Sequence, residues 1–354
     1  MLDFAVRFPQ SGHNSNTSES RFWWPADRSE RDTGTKEDGM IATVTLNPAL
    51  DKTMAIPGFA IGGTNRASIE QIDAGGKGIN VAKAARQLGC PAIALGFLAG
   101  ANGRWIADAL QSMGILCDFE WVPGETRVNL KIKDPLTGTE TEINEPGFQV
   151  GADHVQSLKR KIEEQAGQCP VMVFSGSLPP GVPPEIYAEF IRIARNRGAR
   201  TILDTAGAAL KYGIAAGPDL IKPNRAEAEE VLETRIDGEA ALLGAARRFL
   251  EMGAKAVVLS LGADGALAAS QRERWRADSP AVTASSSIGA GDAMVAALAL
   301  AMTRGLTLGD ALRLATAAGA ATVATNGSAT ELGSIQDYAK AVTLHSIGEA
   351  AGAC

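Results

Sequence analysis

Histidine and cysteine are scarce in this chain of 354 residues, which holds three of the first and four of the second. His13, His154 and His345 lie far apart, and Cys90, Cys117, Cys169 and Cys354 form no C-x-x-C pair. That argues against a structural zinc site and against a disulfide framework. No block of Lys and Arg stands anywhere, and the formal net charge is −6, so the electrostatic footprint of a nucleic-acid binder is missing. The alanine-rich stretch 293–302 is too short to span a membrane, and no longer apolar run exists. The N-terminus lacks the basic start, apolar stretch and small-residue cleavage site of a signal peptide, so the expected compartment is the cytoplasm. With so little imidazole, catalysis has to rest on carboxylates, Lys or Arg.

What is present is ordinary for a globular protein: 45% hydrophobic and 21% charged residues. A chain of this length buries a large α/β core, as one big domain or two smaller ones. Residues 1–39 differ from the rest; they are polar, without sustained period, and read as a flexible extension. Their one aromatic cluster, Phe22 to Trp24, leaves a docking arm as an alternative, and Met40 leaves a different start as another.

From residue 40 the pattern is that of strands alternating with helices. Strands are expected at 41–46, 92–98, 171–174, 201–203, 220–221 and 256–260. Helices are expected at 79–88, 103–113, 184–197 and 312–325, with a helical tail from Ile335 that frays. Small polar residues follow the strands: Asn47 to Asp51, Ser175 to Gly181, Asp204 and Thr205, Lys222 to Glu227, and Leu261 to Gly265. Such residues at the carboxyl ends of parallel strands line a ligand cleft. The bland alternative is that Asn47 and Asp51 are turn formers. Residues 64–72, 119–122, 127–133 and 139–143 read instead as short strands of antiparallel hairpin character, with a turn at 135–138. They predict a separate flap drawn from about 53–72 and 119–145.

Two glycine turns open helices. Gly289-Ala290-Gly291-Asp292 precedes an apolar run, and Gly75-Gly76-Lys77-Gly78-Ile79-Asn80 precedes the helix at 79–88. Amides at a helix start favour an anion, above all phosphate. Asp292 beside such a phosphate would take the proton of an attacking hydroxyl; the alternative is a helix cap. Neither turn is a Walker P-loop, because Lys77 is followed by Gly78 and the spacing is absent. A dinucleotide fingerprint also fails, since Met294 stands where its third glycine belongs.

Together these segments resemble the ribokinase-like sugar kinases of the PfkB family, over residues 40–345 with a tail at 346–354. The two glycine signatures carry the resemblance in order and separation. Asn47-Pro48-Ala49-Leu50-Asp51, Gly124 to Asn129, Ser175 to Gly181 and Lys222-Pro223-Asn224 are similar to the phosphofructokinase, 1-phosphofructokinase and tagatose-6-phosphate kinase subgroup. Lys77 matches the 1-phosphofructokinase and tagatose-6-phosphate kinase form, where some 6-phosphofructokinases carry glycine.

The resemblance implies a three-layer α/β/α core with a mostly parallel sheet and a small β lid. It implies transfer of a phosphoryl group from ATP to a fructose phosphate, with Mg2+ as cofactor. Asp292 is then the base, and the amides of Gly289, Ala290 and Gly291 hold the transferring phosphate. Asp51, Gly75, Gly76, Asn80 and Ser175 fall to the sugar, and Lys77 and Arg127 to its phosphate. Lys222, Asn224, Ser260, Gly262, Asp264, Gly265 and Gly291 fall to the nucleotide, and Glu227 to the metal through water. A homodimer through the lid is expected, with neither nucleic acid nor membrane as partner. Arg127 as a solvated strand residue and Glu227 as a helix-face acid remain the alternatives. So do a kinase of an unphosphorylated sugar or nucleoside, and a sugar-phosphate sensor without catalysis.

Overall fold

The computed structural model describes residues 39–282, 288–325 and 332–347. The extension up to residue 38, with Phe22, Trp23, Trp24 and His13, lies outside the described residues, as do Ser286, Ser287, the loop 326–328 and Cys354.

The chain starts with β1 (Ile41–Thr45), β2 (Ala49–Ala55), β3 (Ser68–Gly75), α1 (Lys77–Gln87), β4 (Ala92–Leu98) and α2 (Gly100–Ser112). It continues through β5 (Leu116–Trp121), β6 (Val128–Asp134), β7 (Thr139–Asn144), α3 (Ala152–Ala166), β8 (Val171–Ser175) and α4 (Ile186–Asn196). Then come β9 (Arg200–Asp204), α5 (Gly207–Ala215), β10 (Leu220–Ile221), α6 (Arg225–Leu232), α7 (Gly238–Glu251) and β11 (Ala256–Ser260). The last elements are β12 (Ala266–Ser270), β13 (Arg274–Asp278), α8 (Ala290–Arg304), α9 (Leu308–Ala324), α10 (Leu332–Ala341) and β14 (Thr343–Ser346).

Among the described residues, ten strands form one sheet in the order β14-β13-β12-β11-β10-β9-β8-β1-β4-β5. From β11 to β5 every neighbour pair is parallel; β12, β13 and β14 add an antiparallel edge. Alternate strand residues feed two cores. Ala42, Val44, Met172 and Phe174 pack with α3 to α7, while Ile41, Val171 and Val173 pack with α1, α2, α8, α9 and α10. The fold is therefore three layers, α/β/α. Helix α8 is apolar almost all round and buried from Asp292 to Met302, as a central helix must be. Each fully buried leucine there contributes about 1.5–3 kcal/mol.

A second sheet of four strands, in the order β3-β2-β6-β7, stands apart. Here the structure corrects several expectations. Asp51 lies inside strand β2 rather than in a turn, because Pro48 ends the run of β1 and Ala49 already begins the small sheet. β3 runs over Ser68–Gly75, several residues beyond the expected 64–72. Residues 119–122 do not join the flap: β5 pairs in parallel with β4 at the edge of the large sheet. Its alternation misled for a physical reason. Phe119 is buried in the core, whereas Asp118 and Glu120 turn to Lys161, His154 and Ser157 of α3. β13 and β14 were not foreseen; the expected fraying tail returns as a strand on β13.

Candidate active site

The two glycine turns meet at the carboxyl end of the parallel strands. Gly76 caps α1 with φ 114. A Cβ there would stand 2.9 Å from Thr45 Cγ2 and 3.1 Å from Pro48 Cα, so the turn needs glycine on both counts. Gly289 caps α8 in the left-handed region, φ 78. Asp292 is the third residue of α8 and does not cap it. Its carboxylate turns away to accept a hydrogen bond from Asn80 Nδ2 of α1, at 2.9 Å. The free amides of two helix starts thus look into one space.

Asp292 is buried, and burial together with nearby Asp204 pushes its pKa up to about 6, against the pull of Asn80, Lys77 and Lys222. A carboxylate of that kind takes a proton near neutral pH.

Asp204 closes the floor. It ends β9, is 1% exposed, and lies 3.3 Å from Lys222 Nζ and 3.7 Å from Lys77 Nζ. Lys77 also donates to Glu227 Oε1 at 3.1 Å. Burial pulls the Lys77 pKa down, but Asp204 and Glu227 outweigh it and the net shift is upward, so this ammonium stays charged. Lys222 in turn stands by the second turn, since a Cβ on Gly291 would lie 3.4 Å from its Nζ. Two cations therefore flank the head of α8. Ser175 is fully buried and donates to Asp204 Oδ2 at 3.3 Å; its hydroxyl steadies Asp204 rather than opening on the cleft.

Asn224 and Glu227 form a reciprocal capping box at the start of α6, each bond 2.9 Å. Asn224 also bridges to Ser260 of β11. Beyond it, Gly262 to Asp264 make one turn of 3-10 helix on the surface, with Asp264 3.8 Å from Arg225. Gly265 then turns the chain back into β12. The expected nucleotide residues thus form one continuous rim from Lys222 to Gly265. Two hard oxygen donors for a hydrated divalent cation stand on this floor: Asp204 Oδ1, which is buried, accepts no hydrogen bond and lies 3.3 Å from Lys222 Nζ, and Glu227, whose oxygens face Lys77 and the Asn224 amide.

The other wall is the small sheet. Asp51 of β2 is opposite Asp73 of β3 and Asn129 of β6. Asn129 Nδ2 donates to Asp51 Oδ1 at 2.8 Å. Burial raises the Asp51 pKa. Gly75 packs against this carboxylate so closely that a Cβ would overlap Asp51 Oδ2. Arg127 leads into β6. Its guanidinium donates to Asn129 Oδ1 at 2.9 Å, Glu145 O at 3.0 Å and Asn47 O at 3.3 Å. It belongs to the Asp51 side, whereas Lys77 belongs to the Asp204 side. The structure does not bring these two cations together on one partner.

Asp204 and Asn129 lie in segments the sequence marks, the strand-end residues and Gly124 to Asn129, but were given no role there; Lys83 was missed. Asp204 carries the same signal that singled out Asp51, an acid at a strand end. Lys83 had none, since a lysine inside a helix reads as solvated.

A family model for pfkB family carbohydrate kinases matches residues 45–334. The chain belongs to that family. It is a phosphotransferase with an alcohol group as acceptor, built on the ribokinase-like fold. It is 40% identical over 278 residues to a protein of Rhodobacter capsulatus named 1-phosphofructokinase, covering 78% of this chain and 88% of that one. It is 33% identical to the 1-phosphofructokinase of Bacillus subtilis, covering 82% and 95%. Among solved structures, phosphofructokinase-2 from Escherichia coli in complex with fructose-6-phosphate superposes with TM-score 0.79 at 30% identity, covering 85% of this chain and 98% of that one.

Proposed function

We propose that this kinase transfers the γ-phosphoryl group of ATP to fructose 1-phosphate, giving fructose 1,6-bisphosphate and ADP. The observation that carries the reaction is Asp292, buried at the head of α8, titrating near 6 and held by Asn80. The relatives named 1-phosphofructokinase and the Lys77 form of the first glycine turn favour fructose 1-phosphate as acceptor.

Asp292 takes the proton of the sugar's O6 as O6 attacks the γ-phosphorus; the bond to the β-phosphate oxygen breaks and ADP leaves. The amides of Gly289, Ala290 and Gly291 receive the charge on the transferring group, with Lys222 and Lys77 on either side. Phosphoryl transfer asks for this kind of positioning and charge offset more than covalent help. Asp204 and, through water, Glu227 would hold Mg2+. When bound, that ion offsets the charge of the β- and γ-phosphates.

Lys222, Asn224, Ser260 and the turn Gly262 to Gly265 line the nucleotide's path. Asp51, Gly75, Gly76 and Asn80 receive the sugar hydroxyls, and Arg127 receives the phosphate the sugar already carries. Ser175 acts through Asp204 rather than on the sugar. Lys77 then serves the transferring phosphoryl group rather than the sugar's own phosphate. The small sheet acts as a lid that excludes water.

The lid's other face carries the cross-strand row Ile72, Lys52, Leu130 and Ile143, in which Ile72 and Ile143 are 38% and 51% exposed on either side of the lysine. We take it as the surface of a homodimer, while the E. coli phosphofructokinase-2 structure is described as a tetrameric inhibited form. We take the cytoplasm as its compartment, as the sequence reading expects. Among the described residues no helix is long and apolar enough to cross a membrane.

Fructose 6-phosphate is the second reading, favoured by the likeness to phosphofructokinase-2. A panel of fructose 1-phosphate, fructose 6-phosphate, tagatose 6-phosphate, ribose and adenosine with ATP tests the assignment. The highest kcat/KM is expected with fructose 1-phosphate. Turnover of the unphosphorylated compounds alone overturns the reading, and binding without any turnover makes the protein a sensor.

A further inference from the structure

Lys83 has no part in the chemistry described so far, yet it lies half-buried under the sugar wall. It stands one turn beyond Asn80 on α1, on the same helix face. Its Nζ donates to the Ala74 carbonyl at 2.7 Å. Ala74 is the link between Asp73 and the turn at Gly75 and Gly76. Burial lowers the Lys83 pKa, and Asp73, Asp51 and Asp292 act against that.

The reason for a cation here is visible in the register of the small sheet. Asp51 and Asp73 are directly opposed on neighbouring strands, and so project from the same face. Like charges in that relation repel, and burial of Asp51 makes the repulsion stronger. Arg127 reaches Asp51 electrostatically, but its donors are committed to Asn47, Asn129 and Glu145. Both acids favour the charged form of Lys83, and Gln71 Nε2 donates to Asp73 Oδ2 as well. Its bond to Ala74 fixes the backbone between them and the glycine turn.

We propose that Lys83 is a positioning residue of the sugar site: it offsets the Asp51–Asp73 repulsion and fixes the Ala74 carbonyl, holding the Asp51 carboxylate ready for the sugar hydroxyls. This inference rests on the reading of Asp51 as a sugar ligand given above. Lys83 itself touches neither substrate nor the transferring phosphate.

The test compares four proteins by steady-state kinetics with ATP and fructose 1-phosphate: wild type, Lys83→Gln, Lys83→Gln with Asp73→Asn, and Asp51→Asn. Glutamine keeps a donor for Ala74 and removes the charge. Lys83→Gln is expected to raise KM for the sugar phosphate about tenfold or more, with kcat and the KM for ATP within about twofold. Adding Asp73→Asn removes the repulsion and is expected to recover most of that loss. A purely structural lysine would give no such recovery. An unchanged sugar KM in Lys83→Gln, or a loss that Asp73→Asn leaves untouched, overturns the inference. If Lys83→Gln fails to fold, recovery of the fold by Asp73→Asn supports it and no recovery overturns it. Asp51→Asn separates the two readings. If it leaves the sugar KM unchanged, the role of Asp51 is wrong; if it raises KM while Lys83→Gln does not, only the role of Lys83 is wrong.

Discussion

Asn80 of α1 and Asp292 of α8, 212 residues apart, are joined by a hydrogen bond of 2.9 Å. The bond ties the heads of two helices that each begin at a glycine of positive φ. It favours the ionised form of Asp292 against burial and Asp204, which favour the neutral one. The balance near 6 is therefore set by opposing groups, and each is open to substitution.

Replacing Asp292 by Asn removes the proposed base and leaves a residue of the same shape. The expected fall in kcat is about 10²- to 10⁴-fold, with both KM values little changed. Initial rates at saturating ATP and sugar phosphate measure it. A variant that keeps wild-type turnover would show that the proton goes elsewhere.

The same substitution should stabilise the fold at neutral pH. A carboxyl whose pKa rises from 3.8 to about 6 on folding binds its proton more tightly in the folded state. Its contribution is fully present below the lower value and is lost as pH climbs through the upper one. Asp292→Asn avoids that loss, and at pH 8 should gain up to about 3 kcal/mol. Thermal melts at pH 5 and pH 8 check it: the variant's advantage should be larger at pH 8.

Activity follows the opposite sign. As the proposed base, Asp292 works only when ionised, so kcat/KM should rise with pH through an apparent pKa of about 6 and then level. Asn80→Ala takes away a bond that favours ionisation, so its profile should shift to higher pH. A shift downward would contradict the role given to Asn80.

Asp204 faces Lys222 and Lys77 at once. Asp204→Asn takes from Lys222, which is 4% exposed, its ion-pair partner and leaves it only the more distant charge of Asp292. The expected loss of stability is about 3 kcal/mol, read by urea unfolding. Turnover should fall as well, because Lys222 and Lys77 lose their common anchor.

Arg127→Gln is expected to raise KM for the sugar phosphate about 10- to 100-fold and to leave KM for ATP alone. Equal damage to both constants would place the guanidinium with the nucleotide instead.

The parallel core was legible in the chain because its strands are continuous apolar runs ended by small polar residues. The glycine turns were legible because a tight turn into a helix needs glycine where a side chain cannot fit, as at Gly76 beside Thr45 and Pro48. The small sheet was only partly legible. β2 alternates weakly and is half-exposed along its length, so Asp51 read as a loop residue. β5 misled in the reverse direction, since its polar side chains meet Lys161 and His154 rather than water. Partners distant in sequence leave no local trace: nothing near Lys83 announces Asp51 or Asp73, and nothing near Asp204 announces two lysines.

Arg127 enters a substrate complex already employed. Its guanidinium holds the carbonyl of Asn47, where β1 gives way to the small sheet, and that of Glu145, where β7 leaves it. An anion that recruits this side chain takes it from those carbonyls, so binding there is an exchange and not an addition. The measured affinity is the new ion pair minus the old bonds. The same exchange frees the chain at Asn47 and at Glu145 together, two of the points where the small sheet joins the core, so occupancy of this side chain and the hold on those two junctions are two readings of one equilibrium.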